Sequence, residues 1–245
     1  MRWLLICLAI AGCARAGREN SIIGGLTDAR PSGDADTVPA PDASPIDAPP
    51  QQVTLTQTAS NGITRNNSFG CVDSGITHSN SYYRVFKLAD HAITTTLHVT
   101  QVVFGIEAAA AGGVAVSQPA TLRLGTYSGT PGGTTLDLSL VRMVNSMDIQ
   151  IPDGSATRMA VPITGDIAPT TSVIVELAIP DGTADGNEFF VGTNTDVERA
   201  PGYTLGPDCG VTSPTSMQSI ADDPANMFGN VHLVMTVTGM TDLPN

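Results

Sequence analysis

The sequence predicts an all-β fold, an antiparallel β-sandwich of jelly-roll type, preceded by a signal and a tether. Three observations predict it. Apolar and polar residues alternate in short runs after position 51, which is typical of half-buried strands. Gly, Pro, Asn and Asp residues that favour turns separate these runs. No stretch longer than about ten residues keeps the period of an amphipathic helix.

The first element, residues 1–12, has the pattern of a secretory signal peptide. Arg2 precedes an apolar run over residues 4–10, and small residues precede Cys13. The run is about half the roughly 20 residues that a membrane-spanning helix needs. Either a lipoprotein signal cut before Cys13 or an ordinary secretory signal cut elsewhere fits this pattern.

The sequence Ile10-Ala11-Gly12-Cys13 resembles the lipobox of bacterial lipoproteins. The resemblance covers the N-terminus only. It implies that Cys13 is diacylated on sulfur, that the signal is removed before it, and that the new amino group is acylated. Two or three acyl chains would hold the protein on a membrane. Ala14 follows the cysteine where the family associates aspartate with inner-membrane retention, so the resemblance favours the outer membrane or cell surface.

The second element, residues 13–50, is an acidic tether rich in Pro, Ala and Asp. It has little to bury, its prolines favour extended geometry, and its aspartates repel one another. We therefore expect a disordered spacer. Its composition is similar to that of surface-lipoprotein spacers from some high-GC bacteria.

The third element, residues 51–241, is the predicted sandwich domain. We expect a short helix within residues 216–227, an edge strand at Pro162, and a bend near Gln101 in the longest run. The predicted strands are 82–86, 93–107, 120–124, 136–141, 159–163, 173–179 and 231–238. The arrangement looks like the accessory sandwich domains of secreted bacterial proteins, a likeness of fold that says little about function.

Cysteine usage predicts one disulfide in this domain. Cys7 lies in the signal and Cys13 is the lipid site, which leaves Cys71 and Cys209. Two cysteines in an oxidising compartment most simply form a bridge, whereas two free thiols would suit a cytosolic protein. The bridge would bring the start of the domain beside its end.

Charge excludes a nucleic-acid surface. The chain has 11 Lys and Arg against 23 Asp and Glu, with a net charge of -12 and a pI near 4.4. A protein that binds phosphate backbones needs a basic patch. We therefore expect no nucleic acid among the partners, which would be the membrane, a glycan or an envelope protein.

Motifs for catalysis and for metals are weak. The sequence has no G-x-S-x-G elbow, and its four histidines show no metal-ligand spacing, so ordinary polar roles are expected for them. Calcium is the best metal candidate, because Asp181, Asp185 and Asn187 match positions 1, 5 and 7 of a calcium loop, although the glutamate of position 12 is missing. Asp-Gly turns explain the same residues. No cofactor is otherwise expected.

A predicted disulfide would also bring Asp73 near Asp208, and two carboxylates could bind a cation or act as acid and base. Turn-forming aspartates are the simpler explanation for both. A carboxylate-based secreted hydrolase is therefore the second alternative function.

Carbohydrate binding is the first alternative function. Aromatic residues make up 4% of the chain, so few sugar-stacking platforms are possible. Tyr82 and Tyr83 open a predicted strand, and alternation turns one ring outward, where it could stack on a sugar. The main prediction is a lipid-anchored envelope protein that presents a non-catalytic binding or structural domain.

Overall fold

The structure, a computed structural model, describes residues 50–224 and 229–242. The predicted signal, the lipid site Cys13 and the tether as far as residue 49 lie outside these residues. The strands are β1 Gln51–Thr56, β2 Val72–Asp73, β3 Ile76–Thr77, β4 Asn80–Lys87, β5 Leu97–Ala110, β6 Ser117–Tyr127, β7 Val141–Pro152, β8 Gly154–Val161, β9 Gly165–Ile167, β10 Ser172–Ile179, β11 Glu188–Val191, β12 Thr193–Asn194, β13 Gly202–Gly206, β14 Val211–Ser216, β15 His232–Leu233 and β16 Met235–Thr241. A short helix, α1, spans Met217–Ala221, and 3-10 turns span Leu88–His91, Leu138–Leu140 and Pro207–Cys209.

Two six-stranded antiparallel sheets form the sandwich, and two short two-stranded sheets, β2-β3 and β12-β15, accompany them. In the first, the order is β1-β16-β5, and β8, β9 and β11 also pair with β5. In the second, the order is β14-β13-β4-β10-β6-β7. Both sheets contribute side chains to one continuous apolar core. The predicted antiparallel β-sandwich is confirmed.

The connections between the strands are those of a jelly roll. Along β1, β4, β5, β6, β7, β8, β10 and β16 the chain passes to the other sheet at every step except from β6 to β7, so that the set β1-β16-β5-β8 faces the set β4-β10-β6-β7. This is the order produced by two interleaved Greek keys. Strands β13 and β14 extend the second sheet beyond β4.

Alternation within strands decides which side chains enter the core. On β10, Val173, Val175 and Leu177 are buried between the sheets, whereas Ile174 and Glu176 lie on the outer face. The same alternation on β4 sends Tyr82 and Phe86 inward and Tyr83 outward. Each fully buried side chain of this size contributes about 1.5–3 kcal/mol, so these strands stabilise most of the fold.

Several predicted elements differ from the structure. Strand β8 ends at Val161, so Pro162 follows it instead of lying in an edge strand, and the strand expected from residue 93 begins only at Leu97. The strand expected over 136–141 is wrong: Leu138–Leu140 is a 3-10 turn, because the Asp137 carboxylate accepts hydrogen bonds from the Ser139 amide and hydroxyl. The following strand, β7, begins only at Val141. The predicted helix within 216–227 is present but covers only Met217–Ala221.

The segment 128–140 covers the middle of the outer face of the second sheet. It leaves β6, crosses the sheet to pair with β14 through Thr135 and Thr215, and returns to β7. The Leu136 amide donates to the Pro214 carbonyl, which places the Leu136 side chain over the sheet. A second, smaller core results, formed by Tyr83, Val85, Tyr127, Leu136, Ile174 and Tyr203.

A disulfide joins Cys71 to Cys209 across 138 residues, as the cysteine count predicts. It connects the loop before β2 to the 3-10 turn that follows β13. Cys71 is buried and Cys209 is exposed. The bridge therefore lies at the end of the sandwich where β4 begins and β10 ends, next to the groove described below.

Candidate functional site: a groove on the second sheet

Five outer-face residues lie in register across five neighbouring strands. Leu205 of β13 is opposite Ser81 of β4, Ser81 is opposite Ala178 of β10, Ala178 is opposite Thr121 of β6, and Thr121 is opposite Asp148 of β7. The three central side chains are small, and the two at the margins are larger. A row of this kind forms the floor of a groove that runs across the strands.

The groove has a volume of about 600 Å³ and lies at the end of the sheet where β4 and β6 begin. Three prolines form part of its wall, Pro119 on β6 and Pro180 and Pro207 beyond the ends of strands. Its lining residues are Ser79, Asn80, Ser81, Pro119, Ala120, Thr121, Arg123, Asp148, Ile149, Gln150, Ala178, Ile179, Pro180, Leu205 and Pro207. The volume is within the range of small-ligand sites.

A buried carboxylate fixes the only cation of the groove lining. Glu176, on the next outer-face row, accepts hydrogen bonds from the Ser81 hydroxyl at 2.8 Å and the Tyr83 hydroxyl at 3.0 Å. Its other oxygen lies 3.0 Å from Nη1 of Arg123. Burial, and then the Glu176 charge, raise the pKa of the Tyr83 phenol, so this hydroxyl remains a donor. Arg123 is therefore held at one nitrogen, while its side chain is 37% exposed and carries further N–H donors.

The groove lining carries one cation and one carboxylate, Arg123 and Asp148. Asp148 lies at the margin on β7, opposite Thr121, from which it accepts a hydrogen bond of 2.9 Å. The buried Glu176 compensates the charge of Arg123, so the groove adds no net positive charge to a strongly acidic chain. Such a site offers donors and acceptors together with apolar proline and leucine surfaces. This chemistry suits an uncharged ligand with many hydroxyl or amide groups.

The two tyrosines predicted as weak ligand residues are not exposed. Tyr82 is 0% exposed in the main core, and Tyr83 is 3% exposed beneath Leu136. Alternation does turn Tyr83 away from the main core, but the expectation that one ring is available for stacking is wrong. The reason is the segment 128–140, which crosses over the sheet. No local sequence pattern predicted this crossing.

The residues of the predicted calcium loop are used by turns. The Asp181 carboxylate accepts hydrogen bonds from the amide and the hydroxyl of Thr183. Both bonds lower the pKa of Asp181, and the bond from the hydroxyl lowers it more. The Asn187 side-chain oxygen accepts from the Gly112 amide at 3.0 Å, so it holds two loops together. Asp185 shares this turn through its amide, which donates to the Gly182 carbonyl.

The second acidic pair is likewise bound to hydroxyls. Asp73 accepts a hydrogen bond of 3.1 Å from Ser74, and Asp208 accepts one of 3.5 Å from Ser79. Within residues 50–224 and 229–242, no three His, Cys, Asp or Glu side chains are grouped so that they could hold a metal ion. The described helices include none that is long and apolar enough to cross a membrane.

A buried charged network was missed by the sequence analysis. Arg84 is 0% exposed, and its Nη1 lies 2.6 Å from Glu198, which is itself nearly buried. Nε2 of His232 lies 3.9 Å from the same carboxylate, and Nδ1 of His232 contacts the Asp196 carbonyl. The alternation of β4 places Arg84 inward. This inward position could have been read from the sequence as the sign of a buried ion pair, because an arginine on a core face requires a partner.

Comparison with known proteins identifies no family. No family model matches the sequence, and no curated protein matches it. One solved structure that matches is that of a clostridial cysteine protease, Cwp84, after propeptide cleavage, with 10% identity and a TM-score of 0.47. The match covers 78% of this chain and 40% of the protease chain, so this chain spans well under half of that protein.

Proposed function

We propose that this chain is a lipid-anchored protein of the bacterial cell envelope whose sandwich domain binds a ligand without catalysis. The in-register groove of the second sheet is the observation that carries the binding role. The N-terminal lipobox-like sequence and the Cys71–Cys209 disulfide support export to an oxidising compartment. The tether of residues 13–50 would hold the domain at the outer membrane or cell surface.

The ligand that fits the groove best is a neutral glycan chain. Small floor residues at Ser81, Ala178 and Thr121 leave room for a sugar ring, and the donors of Arg123 and the acceptors of Asp148 suit hydroxyl groups. Affinity would come from hydrogen bonds to preorganised side chains instead of aromatic stacking. This is a carbohydrate-binding role at residues other than the tyrosines.

Binding is tested by filling the groove. Replacing Ala178 with Phe places a large ring on the floor, and we expect binding of neutral oligosaccharides, measured by calorimetry or a glycan array, to be lost. Ala160→Phe is the matched control, because Ala160 is exposed on β8 of the other sheet. Equal binding by both variants, or no binding by the unaltered protein, would contradict the groove as a glycan site.

The anchor is tested separately. Mass spectrometry of the mature N-terminus should find an acylated Cys13 as the first residue, and the protein should enter the detergent phase on phase separation. Cys13→Ala should remain in the aqueous phase or keep its signal. A mature chain that begins elsewhere without fatty acid would refute the lipoprotein proposal and leave the groove untouched.

A further inference from the structure

A second cavity lies at the opposite end of the same sheet. Ser172, at the start of β10, is in register with Lys87 at the end of β4 and with Tyr127 at the end of β6. The loops that extend these strands enclose about 470 Å³. Because Ala178 lies six positions after Ser172 on β10, the cavity and the groove are about 20 Å apart along the strand.

The cavity concentrates positive charge in an acidic protein. Lys87 is the only lysine of the chain, and it lines the cavity together with Arg199. Asp90 is the one carboxylate of the lining, and it lies 3.9 Å from the Lys87 ammonium, which is a loose contact. Among the described residues, Arg199 forms no ion pair. The lining thus carries a net positive charge where the whole chain carries -12.

A neighbouring histidine reports this positive environment. Burial lowers the pKa of His91, and the charge of Arg199 lowers it further. The His91 ring therefore remains neutral and adds no third cation. The charge of Asp90 opposes this effect. The positive field of the cavity comes from Lys87 and Arg199.

The walls are fixed by hydrogen bonds within the protein. The Ser128 hydroxyl donates to the Leu140 carbonyl, and the Thr171 hydroxyl donates to the Ala168 carbonyl. The Gly132 amide donates to the Tyr203 hydroxyl at 3.1 Å. These bonds hold two of the loops that line the cavity, so a ligand would meet a preorganised site.

Further polar and apolar groups complete the lining. The hydroxyls of Thr130, Thr170 and Ser172 line the cavity and can donate or accept hydrogen bonds. Pro131 and Pro169 supply flat apolar surfaces. Two cations, one acceptor carboxylate, several hydroxyls and flat apolar walls are complementary to a ring that carries one carboxylate and several hydroxyl groups.

We propose that this cavity binds an acidic monosaccharide, a hexuronic acid or the end of a chain that contains one. The carboxylate lies between Lys87 and Arg199, and Asp90 accepts hydrogen bonds from ring hydroxyls. This site is independent of the groove and extends the proposed function, because it takes a charged ligand at the other end of the sheet.

The test uses the full-length protein in detergent and galacturonate as the probe. Binding is measured by NMR chemical-shift changes or by calorimetry. We expect galacturonate to bind more tightly than glucose, and its binding to weaken as salt is added. Lys87→Gln and Arg199→Gln should each weaken it about tenfold, since each removes a charge-assisted contact. Arg142→Gln, at an exposed arginine on β7, is the matched control and should change nothing.

Three results would overturn the proposal. Glucose binding as tightly as galacturonate would remove the role of the cations. Acetate competing as well as galacturonate would remove the role of the hydroxyls. Loss of galacturonate binding in Ala178→Phe would place the ligand in the groove. Retention in that variant, with loss in Lys87→Gln and Arg199→Gln, supports the cavity whether or not the groove binds a neutral glycan.

Discussion

The Arg84–Glu198 pair shows how a single charged side chain is accommodated inside the sandwich. Burial lowers the pKa of the Arg84 guanidinium, and the Glu198 carboxylate acts against this by supplying a counter-charge and a hydrogen bond. Nε and Nη2 of Arg84 are buried and have no hydrogen-bond partner within residues 50–224 and 229–242. The pair is therefore held by one strong contact.

Removing the carboxylate should destabilise the fold strongly. Glu198→Gln leaves the Arg84 charge uncompensated, and we expect the free energy of unfolding to fall by about 3–5 kcal/mol, measured in urea. Glu188→Gln, at a glutamate on β11, is the control and should fall within about 0.5 kcal/mol of the unaltered protein. The double variant Arg84→Met/Glu198→Met should recover much of the loss. If Glu198→Gln loses no more free energy of unfolding than the control, then Glu198 does not stabilise the charge of Arg84.

His98 predicts a pH dependence of stability. Hydrogen bonds to Asp166, at 2.8 Å from Nδ1, and to Asp242, at 3.4 Å from Nε2, raise the pKa of this exposed imidazole. The protonated ring is favoured in the folded protein, so the stabilisation is complete below the unfolded pKa of about 6.5 and is lost as pH rises through the folded value.

We therefore expect the unaltered protein to have a higher Tm than His98→Gln at pH 5.5, and the two to converge at alkaline pH. The difference should shrink in 1 M salt, because the ring is solvent-exposed. A difference in Tm that is the same at acidic and alkaline pH would show that His98 acts by packing and not by charge.

At the scale of elements, the loop that connects β5 to β6 packs against the loop after β10. An added Cβ on Gly112 would lie 1.7 Å from the Asp185 carbonyl oxygen, which is backbone and cannot move aside alone. Gly112→Ala should lower the free energy of unfolding by about 1–3 kcal/mol. Gly133→Ala is the control, because its nearest atom would be the Thr135 carbonyl oxygen at 3.5 Å. Equal stability of both variants would mean that this contact is absent in solution.

The disulfide constrains two loops that are distant in sequence. The double variant Cys71→Ala/Cys209→Ala should lose about 2–5 kcal/mol of unfolding free energy, chiefly because the unfolded chain regains entropy. A reductant should destabilise the unaltered protein to a similar extent and leave the double variant unchanged. Sensitivity of the variant to reductant would show that the bridge is not the cause.

Regular alternation made some elements predictable. Strands β6 and β10 were expected because their apolar residues recur at every second position, and the bend expected near Gln101 lies beside a register shift opposite Thr238 and Gly239. Strand β13, Gly202–Gly206, was not expected, since it carries two glycines and lacks such a pattern. Its position follows from pairing with β4, a contact distant in sequence.

The candidate site was less predictable than the fold. The groove depends on the register of five strands that come from distant parts of the chain, so no local motif marks it. Asp148 and Thr121 are ordinary polar residues in the sequence, and only their pairing makes them neighbours. The tyrosines failed as candidates for a related reason, because the segment that buries Tyr83 begins more than forty residues later.

For the whole molecule, the groove and the entry of the chain lie at opposite ends of the sandwich. Gln51, at the start of β1, pairs with Thr241, and Thr241 pairs with Leu97 at the start of β5. Strand β5 follows the loop that leaves Lys87, a residue of the basic cavity. The first described strand thus starts at the end that holds the basic cavity. In the proposed anchored protein, the groove faces away from the point where the tether joins the domain.

This orientation predicts how immobilisation affects binding. Protein captured on a sensor surface through a tag at residue 50 should bind the groove ligand, because the groove remains open to solvent. Capture through a tag inserted after the exposed Thr183, in the loop that follows Pro180 at the groove wall, should reduce binding. Equal signals from the two attachments, at equal loading, would contradict this arrangement.

Strand β5 also determines when the molecule can be completed. One edge of β5 is shared by β16 and β11, and the other by β9 and β8, while β16 separates β5 from β1. The link between β1 and β5 in the first sheet therefore exists only once β16, as far as residue 241, has been synthesised and has paired with both strands. Because these contacts join residues that are far apart in sequence, we expect the pairing of β1 with the sheet to be a late and slow step of folding.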